Sequence, residues 1–572
     1  METRKSNSIC KAIHPYTKKS ICNRSIWDDN EKLCIFHNKK KPVDEFRSSF
    51  LAELNYTNET NKIKEFDCRC FVFPSKINLQ NLSFNKPTDF RFATFGDETD
   101  FQSTKFSDNS NFESAVFGDK TFFMLAEFGN GTNFLFSIFG KETNFWLAKF
   151  GDKTHFPTKF GDKTLFSLTL FGNEASFLHT EFGESTSFTK AKFGNKTTYR
   201  GAKFGDETSF VETQFGKETD FCLAKFGNKT NFYGAQFGDQ TNFDDSEFKD
   251  YTEFGKALFG SKTNFCNAQF GIITNFEKAV FGDAVDFENV QFCNQVNFMN
   301  AYFKGQTIFK DIKFRENNLN NINNFTKIVF EKPDQVLFEN INLKLFALVK
   351  TNVQDINFFN CDWPKFEKRY AIFDENYFYE KEANNTDYLA KASLVEIEQL
   401  YLRLQKNFED NKLYAEAGDF YIGAMEMRRK QLAGDKTKAW RWLRQNIFSL
   451  ISWYRYFSFF GERYLRTAIW MLIILFLFPF LFLITGFEYP TTIEMSMHYE
   501  HIDYDLNQGL DFFKIIKNYS KAIAVSFYAL TFQRNVPFRL SIVGQIISIT
   551  ESTISAILLT LFLLALKRRF RR

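Results

Sequence analysis

Between Phe73 and Phe314 the chain repeats a unit of about eleven residues, F-G-D-x-T-x-F-x-x-A-x with small variations, twenty-two times in succession. Self-similarity at a short fixed period specifies stacked copies of one small structural unit rather than a single globular core. In the unit Phe95-Gly96-Asp97-Glu98-Thr99-Asp100-Phe101-Gln102-Ser103-Thr104-Lys105 the Phe spacing alternates between six and five. A right-handed helical coil also permits an eleven-residue period, but its apolar stripe steps by three and four, and a Gly in almost every unit would cost about 1 kcal/mol each. A β-solenoid remains, with Gly-Asp or Gly-Asn expected to turn the corners because these residues tolerate positive φ. Small residues stand two places before the rings, as in Thr99 before Phe101, Thr104 before Phe106, Thr143 before Phe145 and Ala148 before Phe150. Period two puts both members of each pair on the inward side, where equivalent rings of successive coils can stack in ladders.

These A-x-F and T-x-F steps resemble the pentapeptide-repeat family in a Phe-centred variant, with one extra residue, the Gly, in every second pentapeptide. The resemblance covers residues 73 to 314 and implies a right-handed quadrilateral β-helix with four short faces per coil. Eleven residues then make two faces, a coil takes twenty-two, and about eleven coils give a rod roughly 53 Å long. One unit, Phe150 to Phe160, is a residue short and contains Pro157, so a local kink is expected there.

The chain has 572 residues, 78 of them Phe and only 10 Pro, which suits a Phe-laddered solenoid followed by further domains. The repeat tract carries about five net negative charges, while the chain ends on the basic run Lys567 to Arg572. Nine cysteines without a paired pattern, and a polar, basic opening from Met1 to Ser20 in place of a signal peptide, point to a reducing compartment.

Residues 1–70 read as a separate module. Cys10, Cys22 and Cys34 are evenly placed, and Cys34-Ile35-Phe36-His37 brings a thiol and an imidazole within one turn. Three Cys and one His can complete a tetrahedral zinc site that supplies the folding energy a short segment lacks; the alternative is reduced, buried cysteines beside an unrelated His. His14 is a weaker substitute ligand. The C-I-F-H ending resembles the small Cys/His module in front of some pentapeptide-repeat proteins, which implies the metal. Cys68-Arg69-Cys70 reads as the start of the solenoid.

Beyond Phe314 the repeat decays through the Asn-rich stretch Glu316 to Asn324, and residues 315–390 read as degenerate coils and a cap, with Val336-Leu337-Phe338 and Ile341-Asn342-Leu343 still strand-like. From Leu394 the period becomes helical. Val395, Leu400, Leu404 and Phe408 mark one face, Glu409 to Lys412 a break, and Tyr414, Ala417, Phe420, Tyr421, Met425 and Met427 a second helix. The pair, within residues 391–465, resembles the helical hairpin that joins a pentapeptide domain to a membrane domain in some prokaryotic proteins. Glu409, Asp410, Glu416 and Asp419 read as a solvated charged face rather than a metal site.

Residues 466–572 read as a membrane domain. Thr467 to Phe487 holds about 21 uncharged residues, enough to cross a hydrocarbon core, and Phe538 to Leu566 fits a second span. Arg and Lys precede the first span and follow the second, while Glu488, Glu494, Glu500, Asp503, Asp505 and Asp511 lie between them. The positive-inside rule places both termini in the cytoplasm. The apolar stretch Ala522 to Phe532, within about 519–532, is too short to span and suits a re-entrant helix. Span, re-entrant helix and span resemble a two-helix potassium-channel pore domain, but the filter position reads Thr531-Phe532-Gln533-Arg534-Asn535-Val536-Pro537 and contains no Gly. A carbonyl-lined potassium filter is therefore not expected. Gly544, Ser548 and Ser552 recur at intervals of four as helix-association residues. Thr531, Gln533, Ser548, Glu551 and Ser552 are the intramembrane polar candidates, Glu551 being either a conducting residue or a neutral hydrogen-bonding one.

The expected function is a membrane-anchored interaction protein: a cytoplasmic rod held at the cell membrane by an oligomerising two-helix domain, a tetramer being one possibility, with an unidentified protein partner. The alternative is an ion channel or channel-like transporter regulated by the solenoid. Some pentapeptide proteins mimic DNA, but this tract is far below DNA's charge density, so no nucleic-acid role is expected. No nucleophile, phosphate loop or dinucleotide motif points to an enzyme.

Overall fold

The computed structural model describes residues 9–314, 322–377, 392–432, 440, 443, 447–493, 496–503, 512–533 and 537–569. They fall into two compact units, 9–364 with 372–377 and 365–371 with the residues from 392 onward.

The first unit is a β-solenoid of about thirteen turns. Its register advances by twenty-two residues, pairing Phe73 with Phe95, Phe95 with Phe117 and Phe84 with Phe106, all in parallel. Two further ladders of single bridges, Asn78 to Asp100 and Asp89 to Asn111 onward, complete four faces per coil. Each face stacks its own rings: Phe95 on Phe117 at 4.6 Å, Phe101 on Phe123 at 5.0 Å, Phe106 on Phe128 at 4.9 Å and Phe112 on Phe134 at 4.8 Å. Thr99, Thr104, Thr143 and Ala148 are buried beside them, as the alternation predicts.

Each consensus position has a separate physical task. The Gly after Phe is not the residue at positive φ; that conformation falls two places after it, on Glu98, Lys120, Glu142 and Lys153. Gly is required for close approach instead, because a Cβ on Gly118 would lie 2.6 Å from Asp97 N. The Asp side chain accepts from the next coil, Asp119 N donating to Asp97 Oδ1 at 2.9 Å and Lys141 N to Asp119 Oδ1 at 2.8 Å. The Thr hydroxyl caps the corner, Thr121 Oγ1 donating to the Gly118 carbonyl at 2.8 Å.

At the short unit the expected kink does not interrupt the stacking. Phe156 lies 4.9 Å from Phe134 and 4.8 Å from Phe177, nearly parallel to both. The missing residue comes out of the corner, where between Lys153 and Lys163 no residue takes positive φ, and Pro157 still offers its carbonyl to Phe136 N at 2.7 Å. Past Phe314 the ladder continues through Phe338 on Phe309 and Phe358 on Phe338. Of the Asn-rich stretch, residues 316–321 lie outside the described residues.

The first coil is covered by helix α1 (Val43–Glu59), whose Phe46 and Phe50 meet Phe73 at 5.2 and 5.3 Å. Phe36 stacks on Phe71 at 4.6 Å, so the N-terminal segment packs directly on the start of the solenoid.

In the second unit α2 (Leu394–Asp410) opens with a capping box between Ser393 and Glu396 and packs on α3 (Tyr414–Gln431). The hairpin breaks at Lys412, φ 63°. Ile397, Leu400, Leu404 and Phe408 are buried, but Val395 is exposed and leaves the expected stripe. Gly423 permits the contact, since a Cβ there would lie 2.6 Å from the Tyr401 ring. Helix α4 (Leu450–Ser458) follows. Then come α5 (Tyr464–Thr485), α6 (Phe512–Leu530) and α7 (Ile542–Arg569), which pack together. Helices α5 and α7 are long and apolar enough to cross a membrane. The connection between them contains an antiparallel hairpin, Phe487–Ile493 with Ser496–Ile502, which the sequence analysis does not anticipate. Glu494, Asp505, Asp511 and Arg534 to Val536 lie outside the described residues.

Candidate metal centre and intramembrane polar residues

Cys10, Cys22, Cys34 and His37 converge, all four buried, with their ligand atoms within 4.8 Å of one another. Isolated backbone bridges between Ile9 and Ser25, Ile13 and Ser20, and Asp28 and Leu33 fold the segment back on itself, which is how positions so far apart in sequence meet. Cys22 Sγ lies 3.8 Å from Cys34 Sγ and Cys10 Sγ 3.7 Å from His37 Nδ1. A tetrahedral ion with metal–sulfur bonds of about 2.3 Å has edges of about 3.8 Å, so the donor set already has the dimensions such an ion needs.

The surroundings suit a metal as well. His37 Nε2 points at the Arg69 carbonyl, 3.2 Å away. That contact selects the tautomer with Nδ1 free for a metal. The Cys34 hydrogen bond holds the Cys22 thiol well below the usual range, and the same contact together with burial pushes the Cys34 thiol up. Arg24, which sequence reasoning missed, donates to Cys22 Sγ at 3.9 Å while paired with Glu53 at 2.8 Å. Its guanidinium lies 4.9 Å from the Phe71 ring centroid. His14 stands apart, packed edge-on against Phe92 at 4.7 Å. Cys68 is buried and hydrogen-bonds Asp89 through its backbone. All nine cysteines are free thiols.

The carboxylates of the helical hairpin do not converge on a shared point. Asp419 accepts from Tyr370 N at 2.9 Å and Asp410 pairs with Lys406 at 2.7 Å. Among the described residues they form no metal-ligating group.

The polar candidates of the C-terminal helices separate into two sets. Thr531 Oγ1 donates back to the Phe527 carbonyl at 2.8 Å, and Gln533 is exposed beyond the end of α6. Gly544 faces Thr485, whose Oγ1 would lie 3.6 Å from an added Cβ, and Ser552 Oγ donates to the Ala529 carbonyl at 2.9 Å. Both positions are thus occupied by this chain's own helices, with Ser548 half-buried between them. Glu551 is fully buried and accepts from Ser526 Oγ, a partner hidden in the sequence within an otherwise apolar stretch.

No model of a protein family matches the chain, and no curated protein is significantly similar to it. What fold and site define is a β-solenoid repeat protein with a Cys3His group that can hold a metal ion and two apolar C-terminal helices.

Proposed function

We propose that the chain is a membrane-tethered scaffold, in which the solenoid offers a long regular binding surface and α5 and α7 anchor it in a lipid bilayer. The distribution of polarity over these helices carries this reading. Ile469, Leu472, Phe476, Leu477, Phe480 and Ile484 of α5 and Ile542, Val543, Ile546, Ile549 and Leu563 of α7 are exposed, while Thr467, Glu551 and Ser555 are buried. That is the inverse of a water-soluble bundle and suits a hydrocarbon solvent. The asymmetry of Arg and Lys around the two helices sets both termini on the cytoplasmic side. In its N-terminal segment Cys10, Cys22, Cys34 and His37 hold a zinc ion in a structural role, since four protein ligands leave no open position. The chain self-associates through its membrane end and binds a protein partner along the solenoid.

The regular outer surface supports a scaffold rather than a nucleic-acid mimic. Lys105 and Lys149 flank Glu127 at 3.0 and 3.2 Å, and Lys203 and Lys225 pair with Glu181 and Glu247 at 2.9 and 2.7 Å. Charge is neutralised coil by coil instead of accumulating. Alkaline washing of membranes tests the anchor: the chain stays in the pellet and leaves it only with detergent, and release into the wash overturns the proposal. Ion flux through liposomes carrying the purified chain would replace the scaffold with the channel reading.

A further inference from the structure

Glu551 and Ser555 stand one turn apart on the same face of α7, both fully buried, and Glu551 Oε2 and Ser555 Oγ have no hydrogen-bond partner among the described residues. Glu551 Oε1 accepts from Ser526 Oγ of α6, also buried. The buried core shared by α5, α6 and α7 is otherwise apolar, with Ile474, Phe478, Phe482, Val525 and Leu558 among its residues. Among the described residues no ion pair reaches the carboxyl: α5 is uncharged from Thr467 to Thr485, and α7 has no other charge before Lys567. On α6 the nearest cation in sequence is Lys521, five residues from Ser526 and engaged with Glu500 at 2.6 Å. Leaving a carboxylate and a hydroxyl both unpartnered at such a place is costly.

We propose that Glu551, Ser526 and Ser555 form a site for one monovalent cation inside the helical bundle. One carboxylate sets the charge, and hydroxyl and carboxylate oxygens are the hard donors that an alkali cation or a proton carried on a water accepts. The occupant satisfies both orphan oxygens at once and bridges α6 to α7. The site is separate from the scaffold reading, because it depends only on burial within this chain.

Hydrogen–deuterium exchange of α6 and α7 peptides, in the detergent-solubilised full chain, tests it at constant ionic strength. Exchange slows about tenfold for each tenfold rise in free cation concentration above the dissociation constant. Slowing in NaCl or KCl relative to choline chloride assigns an alkali cation. Slowing only as pH falls from about 8 to about 6 in choline chloride, after correction for chemical exchange, assigns the proton. Glu551→Gln abolishes the dependence and Ser555→Ala weakens it. Wild-type rates that are the same in every salt and at every pH overturn the proposal, whether or not either variant folds.

Discussion

At Gly227 an added Cβ would lie 2.5 Å from Gly205 C and 2.6 Å from Asp206 N, backbone atoms of the preceding coil that cannot step aside. Gly227→Ala is expected to destabilise the solenoid by about 1–3 kcal/mol, read as a lower unfolding midpoint. Gly131 is different: it occupies the positive-φ slot, φ 67°, that Glu or Lys fills in other units, and only the Asn109 side chain crowds it. Gly131→Asn should therefore change stability by less than about 1 kcal/mol, since Asn tolerates this conformation. The sequence separates the two by register, Gly227 directly after Phe226 and Gly131 two places after Gly129, but the reason that only the first must be Gly is the distance to a neighbouring coil. Asp374 makes a second residue-level case. Burial pushes its carboxyl up from 3.8 to about 6, opposed by hydrogen bonds from Leu348 N and Val349 N at 3.0 and 3.2 Å. The folded state then binds the proton more tightly than the unfolded one. The Asp374 contribution is most favourable below pH 3.8 and is lost as pH rises to about 6. The stability difference between wild type and Asp374→Asn should follow that window in denaturant titrations at several pH values.

Elements combine through a few buried polar joints. Glu426 of α3 is buried and pairs with Arg429 at 3.0 Å and with Arg455 of α4. Glu426→Ala leaves two guanidinium groups beside the vacated position and is expected to cost about 2–4 kcal/mol, measurable as faster exchange of α4 amides. The period of α2 and α3 is legible in the sequence, yet Glu426 is not distinguishable there from the solvated acids Glu409 and Glu416. At the N-terminus, metal removal by a chelator should release α1 from the first coil and increase proteolysis within residues 9–60. One zinc per chain measured by mass spectrometry, lost in Cys34→Ser, checks the ligand set. The spacing of Cys10, Cys22 and Cys34 suggests this centre, but the roles of Arg24 and the Arg69 carbonyl depend on contacts 29 and 32 residues away.

For the molecule as a whole, removal of residues 464–572 should leave a chain that fractionates with soluble protein, because the exposed apolar surface of α5 and α7 goes with them. Recovery of that truncated chain in washed membranes would place the anchor elsewhere. The solenoid was legible in the sequence almost entirely, since its ladder pairs and ring stacks join equivalent positions about twenty-two residues apart and the period alone defines them. The two long apolar helices were legible for a similar reason, hydrophobicity being a local property. What only the tertiary structure decided are contacts made between unlike positions: the hairpin between α5 and α7, and the meeting of Ser526, Glu551 and Ser555. A repeat announces its own neighbours, whereas a unique contact is defined by packing, and packing is not written in any local stretch of the chain.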